Sequence, residues 1–467
     1  MKTGVRLKLL RRTLRERSLL AQHVRELKVP HLQAAGDPIG RDMINVVASI
    51  VMVCPNFERL LGFYPVYGHE FDRLTHALST RRRLKEQVWL IGENAAITQR
   101  SHKQLAPGLM DPEQKDSFVN YHDAWSHLTT LFLHSPGQGI LEKDVFVNMK
   151  KNSGDPRMVR GPGILNRLPS LKHLCISNFD MDDFDDFTLQ HLPTLHSLRL
   201  QDLEGVTFWG LSEYSRTRNA FSLRNLSLIN LDITYISAIS HLLLHLKNLH
   251  RFTLVQDTSP VVAEGESEIV IHPIMASHQL EYLHWEIIVP GTANPNLASS
   301  IRANGFPRLR TIRAPADHDG LLQALCKPRA QIELPSDLAA PIGSQHLPPG
   351  SLRAARRDAQ QRIEDAWGTV QFKVLVEEDG VVHEIFDLNG FIGEIGSSIT
   401  YSLEPDVPGS DLALVEFEDL ISPAIREDGG GKNVCRGLWN AKHPGGRGWW
   451  GHTERGRWRQ VELGKFF

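Results

Sequence analysis

Cysteine is scarce in this chain: four in 467 residues, Cys54, Cys175, Cys326 and Cys435, with no C-x-x-C pair among them. That excludes a disulfide framework and a zinc knuckle, and it points to a reducing interior, cytoplasmic or nuclear. Long apolar runs are missing too. The longest nearly uncharged one, Met43 to Cys54, falls short of the ~20 residues a bilayer requires and reads as a core helix followed by a strand. No membrane partner is expected. Neither sign of charge dominates: 52 Lys plus Arg against 54 Asp plus Glu leave a formal net charge of −2, too little to attract a polyanion. Nucleic acid is therefore not expected as a partner. The basic start (Lys2, Arg6, Lys8, Arg11, Arg12, Arg15, Arg17) has no apolar stretch of signal-peptide length. It reads as a first helix with Leu7, Leu10 and Leu14 on its inner face, in preference to a mitochondrial presequence.

Chemical signatures are equally thin. Gly429-Gly-Gly-Lys432 would be a phosphate loop only with Gly and Ser or Thr where Arg426 and Asn433 stand. Asp180-Met-Asp-Asp-Phe-Asp-Asp186 lacks the turn glycine and closing glutamate of a calcium loop, and reads as a solvated turn opening a helix, with Phe184 and Phe187 inward. The 22 histidines form no H-E-x-x-H pair, Cys435, His443 and His452 lack a fourth ligand, and no G-x-S-x-G elbow exists. Asn225-Leu-Ser227 matches a glycosylation sequon but lies inside a predicted strand. No catalytic residue, cofactor or metal is expected, and the chain reads as a non-enzyme.

What the chain does have is a repeated phrase. Leu171-Lys-His-Leu174-Cys-Ile176, Leu195-His-Ser-Leu198-Arg-Leu200, Leu223-Arg-Asn-Leu226-Ser-Leu228 and Leu249-His-Arg-Phe252-Thr-Leu254 are copies of L-x-x-L-x-L. This is the leucine-rich-repeat signature. Weaker copies follow at Leu280-Glu-Tyr-Leu283-His-Trp285 and Leu309-Arg-Thr-Ile312, and precede at Trp125 to Leu133, Phe57 to Leu60 and Val24 to Val29. Apolar residues two apart bury one face of a strand, while Ile236, Ile239, Leu242, Leu243 and Leu246 have the spacing of a covering helix. A single unit cannot cover its apolar face, so stacked neighbours must share one core.

Two irregularities stand out. The turn asparagine expected three residues after the last apolar position is replaced by Phe179, Leu203, Leu231 and Asp257, with Asn178 and Asn230 one residue early. Spacings of 43 residues from Val88 to Leu131 and from Leu131 to Leu174 predict insertions near 92–122 and 135–163. The predicted fold class is α/β: an irregular leucine-rich-repeat horseshoe over residues 1–330, then a smaller mixed, strand-rich domain.

Composition changes after residue 330. Pro335, Pro341, Pro348, Pro349 and Gly350 predict a linker over 331–350, and Ser351 N-caps a predicted helix to Trp367. Val370–Val376 and Val381–Phe386 predict a hairpin around Asp379-Gly380 within a domain spanning 351–467. Residues 377–428 hold fourteen acidic side chains and one basic, Arg426; residues 432–467 reverse the balance. Opposite blocks attract, so the tail is expected to fold back on the acidic strands, with Trp439, Trp449, Trp450 and Trp458 filling a core instead of stacking on single-stranded nucleic acid.

The strand positions that alternate with the leucines face away from the core and form the concave surface on which solenoids take partners. The candidates are Phe132, His134, His173, Arg199, Gln201, Arg251, Tyr282, His284, Glu286 and Arg313. Their mixture of aromatic, His and Arg suits protein recognition.

The stretches Leu168-Pro-Ser-Leu-Lys-His-Leu174, Phe221 to Leu231, Leu249 to Asp257, Phe386-Asp-Leu-Asn-Gly390 and Ile399 to Asp406 resemble fungal F-box-like proteins with leucine-rich repeats. The resemblance implies a substrate receptor of a ubiquitin ligase, whose F-box docks on a Skp-type adaptor while its repeats select the protein substrate. No L-P-x-E opening precedes the first repeat, and Leu334-Pro-Ser-Asp337-Leu leads into prolines where helices would be needed. A scaffold or inhibitor with no ligase connection is the alternative.

Overall fold

Leucines two apart become the inward rungs of parallel strands. The computed structural model of the protein describes residues 2–29, 38–92, 112–137, 140–147, 163–262, 273–338, 350–369, 371–389, 392–407, 410–420 and 461–467. They fall into two compact units. Unit 1 comprises Met1–Phe184, His191–Pro193 and Val415–Phe467; unit 2 comprises Asp185–Gln190 and Thr194–Leu414.

Unit 1 contains β1 (Glu26–Lys28), β2 (Arg59–Leu61), β3 (Val66–Tyr67), β4 (Glu86–Ile91), β5 (Thr130–His134) and β6 (His173–Phe179). β1 pairs with β2, and β3 to β6 pair in order, all parallel. The step from one repeat to the next is the same throughout: the amides of Glu58, Lys85, Thr129 and Lys172 donate to the carbonyls of Arg25, Glu58, Lys85 and Thr129. The weak phrases at Val24 and Phe57 are thus true repeats. Met43 to Cys54 lies in and just after the helix Pro38–Val53, whose Val46, Val47, Ile50 and Val51 are buried.

Three expectations need correction in this unit. Gln87, not Val88, pairs with Leu131, so the repeat of β4 carries glutamine and Trp89 at its inward positions and Val88 on the outward face. Leu7 and Leu14, two full turns apart, are buried in the helix Lys2–Glu16, but Leu10 is 37% exposed because three residues fall short of a turn. The insertions are partly ordered as helices Pro112–Tyr121 and Lys143–Phe146; residues 93–111 and 148–162 lie outside the described residues.

Unit 2 contains β7 (Ser197–Leu203), β8 (Asn225–Ile229), β9 (Arg251–Gln256), β10 (Tyr282–Ile287), β11 (Thr311–Arg313), β12 (Gln371–Glu378), β13 (Val381–Asn389) and β14 (Thr400–Tyr401). β7 to β11 pair in parallel in chain order, and β14 adds a further parallel strand to β11. One inward rung is formed by Leu198, Leu226, Phe252, Leu283, Ile312 and Tyr401, none more than 2% exposed. Ile236, Ile239, Leu242 and Leu243 of the helix Ile236–His245 are buried, as their spacing predicts. The repeat pattern continues beyond residue 330, in Ile399, Tyr401 and Leu403.

The displaced asparagines have a physical explanation. Asn178, Asp202 and Asn230 close their strands with positive φ (60°, 50° and 52°), a conformation that short polar side chains tolerate. A left-handed residue turns the chain one position earlier than in the standard repeat, so the polar ladder shifts with it. In unit 1 Asn178 donates to the Ser135 carbonyl; in unit 2 Asn230 donates to Asp202 at 2.9 Å. One repeat on, buried Gln256 accepts from the Ile233 amide (3.2 Å) and donates to the Ile233 carbonyl (3.0 Å) and the Thr258 carbonyl (2.6 Å).

Past the repeats of unit 2, Ser351 Oγ accepts from the Ala354 amide at 3.2 Å and starts the helix Leu352–Thr369. The linker opens with the short helix Pro335–Leu338, whose Asp337 takes a bidentate bond from buried Arg356 at 2.6 and 2.8 Å. β12 and β13 form an antiparallel hairpin closed by Asp379 and Gly380, both with positive φ. Gly429 to Lys432, Cys435, the metal candidates His443 and His452, and the four tail tryptophans lie outside the described residues.

Candidate functional site

The outward strand positions differ sharply in chemistry between the units. In unit 1 register aligns Val88, Phe132 and Cys175 in the central outward row, with Glu86, Thr130 and His173 before it and Leu90, His134 and Ser177 after it. The central row is apolar yet at most 5% exposed. Residues from far along the chain cover it. Phe466 meets Phe132 edge-on at 5.0 Å, Phe467 lies 5.5 Å from the rings of both Phe132 and His173, and Phe417 stacks on His134 at 4.2 Å. His134 Nδ1 also pairs with Ser177 Oγ at 2.6 Å. Leu463 is buried in a cleft lined by Leu60, Tyr64, Tyr67 and Val88.

In unit 2 the central outward row is polar: Arg199, Ser227, Thr253, His284 and Arg313. Arg199 is buried and bonds Gln201 through Nε and Nη2. Arg313 donates to the carbonyls of Ala413 and Glu404 (both 2.7 Å) and to Asp406 (2.8 Å), so the segment after β14 closes over it. His284 is buried and hydrogen-bonded to Glu286 at 3.0 Å. Burial holds its pKa below the usual imidazole value in spite of that bond, which keeps the ring neutral with Nε2–H as donor. In the neighbouring row the exposed Arg251 guanidinium lies 4.0 Å over the Tyr282 ring. Arg251, Tyr282, Glu286 and Gln201 thus present accessible atoms, whereas Arg199, His284 and Arg313 act through their neighbours.

The acidic run Asp180–Asp186 is built into structure. Asp183, a buried member of the run, has its pKa raised to about 6, chiefly by burial. Asp185 caps a helix by accepting from the Thr188 amide, and Asp186 accepts from the amide and hydroxyl of Thr207. Phe184 is buried as expected, but Phe187 is 44% exposed, because the first turn of the helix carries it past the core. Among the described residues no three His, Cys, Asp or Glu side chains stand close enough to hold a metal, and no helix is long and apolar enough to cross a membrane. Burial pushes the Cys54 thiol up to about 11 and that of Cys326 up to about 12, so neither is a thiolate nucleophile.

No protein family and no curated protein match this sequence. Among solved structures, an internalin from Listeria monocytogenes aligns over 66% of this chain and 87% of its own, at 12% identity and a TM-score of 0.28. TLR13 in complex with ssRNA13 aligns over 64% of this chain and 55% of its own, at 12% identity and a TM-score of 0.23. Superposition this loose transfers neither detail nor function. The leucine-rich-repeat assignment stands on the chain's own parallel strands, their register and the inward leucine rungs.

Proposed function

We propose that the protein is a non-catalytic recognition module that binds an extended segment of a protein partner on the outward strand face of its repeats. One observation carries the reading: in each unit that face already holds polypeptide, Phe417, Leu463, Phe466 and Phe467 on unit 1 and Glu404, Asp406 and Ala413 on unit 2. A surface that seats chain from outside the repeats through aromatic contacts and backbone carbonyls has the chemistry to seat a partner's chain. Accessible Arg251 and Tyr282 are the candidate anchors in unit 2, of the residue types that dominate protein interfaces.

The test is affinity capture of the tagged full chain and of its Arg251→Glu variant from the same cells, followed by quantitative mass spectrometry. A stoichiometric protein retained by the parent and lost by the variant, with unchanged melting, is expected. Identical partner sets would remove this face from the reading. The resemblance to F-box-like proteins makes substrate recognition for a ubiquitin ligase the finer form of the proposal. A Skp-type adaptor in the captured complex would support that form, and its absence would leave a scaffold or inhibitor.

A further inference from the structure

We infer that the strand face of unit 1 is a receptor groove for a short partner motif, leucine followed three and four residues later by phenylalanines, and that residues 461–467 occupy it as a tethered copy of that ligand. The inference rests on the recognition reading above and names the ligand class for one of its faces.

An apolar row on the water-facing side of a sheet must be covered. Val88, Phe132 and Cys175 form such a row, and the cover is sparse: Leu463 and Phe466 are buried while Glu462, Gly464 and Lys465 face solvent. Residues Leu463–Phe466 form a single 3₁₀ turn, in which side chains three apart project to the same side. Leu463 therefore enters the cleft beside Tyr67 while Phe466 lands on Phe132, and Phe467 reaches His173. Two side chains of this turn and Phe467, which closes it, define a linear motif that any flexible chain could present. Phe417 completes the wall, stacked on His134 and 6.4 Å from Phe466.

The tethered copy is imperfect. Glu86 lines the cleft that takes Leu463, burial raises its carboxyl pKa, and the like charges of Glu26 and of Glu462, the residue before Leu463, raise it further. Arg59, 3.2 Å from Glu86, offsets only part of this. A partner with a neutral or basic residue before the leucine would bind better than residues 461–467 themselves.

The test uses the full chain and a release variant carrying Leu463→Ser, Phe466→Ser and Phe467→Ser together. The probe is a fluorescein-labelled peptide copying residues 461–467, read by fluorescence anisotropy. Tethering gives the internal copy an effective concentration of up to about millimolar, so the release variant should bind the peptide at least about tenfold more tightly than the parent. A peptide carrying Glu462→Lys should bind more tightly still, a scrambled peptide should not bind, and adding Phe132→Ser to the release variant should abolish binding. If Phe132→Ser lowers the melting temperature, His173→Ser serves in its place. Equal affinity for parent and release variant would overturn the inference, as would binding indifferent to both face substitutions. A parent dimer that the release substitutions dissociate would assign the occupant to a second copy of the chain and overturn the internal arrangement. None of these outcomes alters the Arg251→Glu capture result, so the two proposals fail separately.

Discussion

The indole N–H of Trp89 donates to Nε2 of His122 at 3.2 Å, and Nδ1 of the same ring donates to the Phe118 carbonyl at 2.9 Å. Both ring nitrogens are thereby assigned: His122 is neutral, with its proton on Nδ1. It lies fully buried among the rings of Phe118, Trp89 and Trp125, in the core of unit 1.

Burial lowers the His122 pKa from 6.5 to about 4, against the opposing hydrogen bond to Phe118. The unfolded chain therefore takes up a proton near 6.5 that the folded chain refuses until about 4. Stability from this group is fully present above the unfolded value and is lost as pH falls across that window. The loss amounts to about 3 kcal/mol. Urea titrations of parent and His122→Phe at about pH 7.5 and about pH 4 should show the parent losing more by that amount. Parallel losses would contradict the prediction.

Arg356 is 3% exposed and holds Asp337 in a bidentate pair while donating to the Leu403 carbonyl at 3.0 Å. Burial alone would raise the Asp337 pKa, but the guanidinium outweighs it and holds the carboxyl below its ordinary value of 3.8. The sign follows: this contribution is present above 3.8 and disappears as pH falls through the folded value. Asp337→Ala strands a buried cation and should cost about 3–5 kcal/mol. Replacing both partners, Asp337→Leu with Arg356→Met, should recover most of the loss. A double variant as unstable as the single one, by calorimetry, would show that packing and not charge burial dominates.

Gln256 is the deepest polar link of the turn ladder. Gln256→Leu leaves the amide and carbonyl of Ile233 without their partner and should destabilise unit 2 by about 2–4 kcal/mol. Hydrogen exchange at the Ile233 amide should accelerate in step with global stability loss or beyond it. Protection equal to that of the parent would mean that another group has replaced the glutamine.

The leucine phrases were legible because a strand buried on one side must alternate, and nearly every inward rung of β5 to β11 falls where the alternation puts it. The period failed at Gln87, where a glutamine sits at an inward position and bonds the Val88 carbonyl, so the apolar residue beside it looked like the rung. It failed to announce β14, whose Ile399, Tyr401 and Leu403 alternate correctly but lack a leucine to open the phrase. The early asparagines carried a readable signal: Asn and Asp one place ahead of the expected turn are the residues that tolerate positive φ.

The candidate surface was legible only as a list of outward positions. Alternation alone determined that Phe132, His134, His173, Arg251, Tyr282 and Arg313 point away from the leucine core, since side chains two apart on a strand share a face. What lies upon that face came from tertiary structure: Phe466 on Phe132, Phe417 on His134, and the carbonyls of Glu404 and Ala413 on Arg313. Periodicity is a local property and fixes direction relative to the backbone. Contacts between residues 91 or more positions apart depend on where the folded chain returns, which no local pattern encodes.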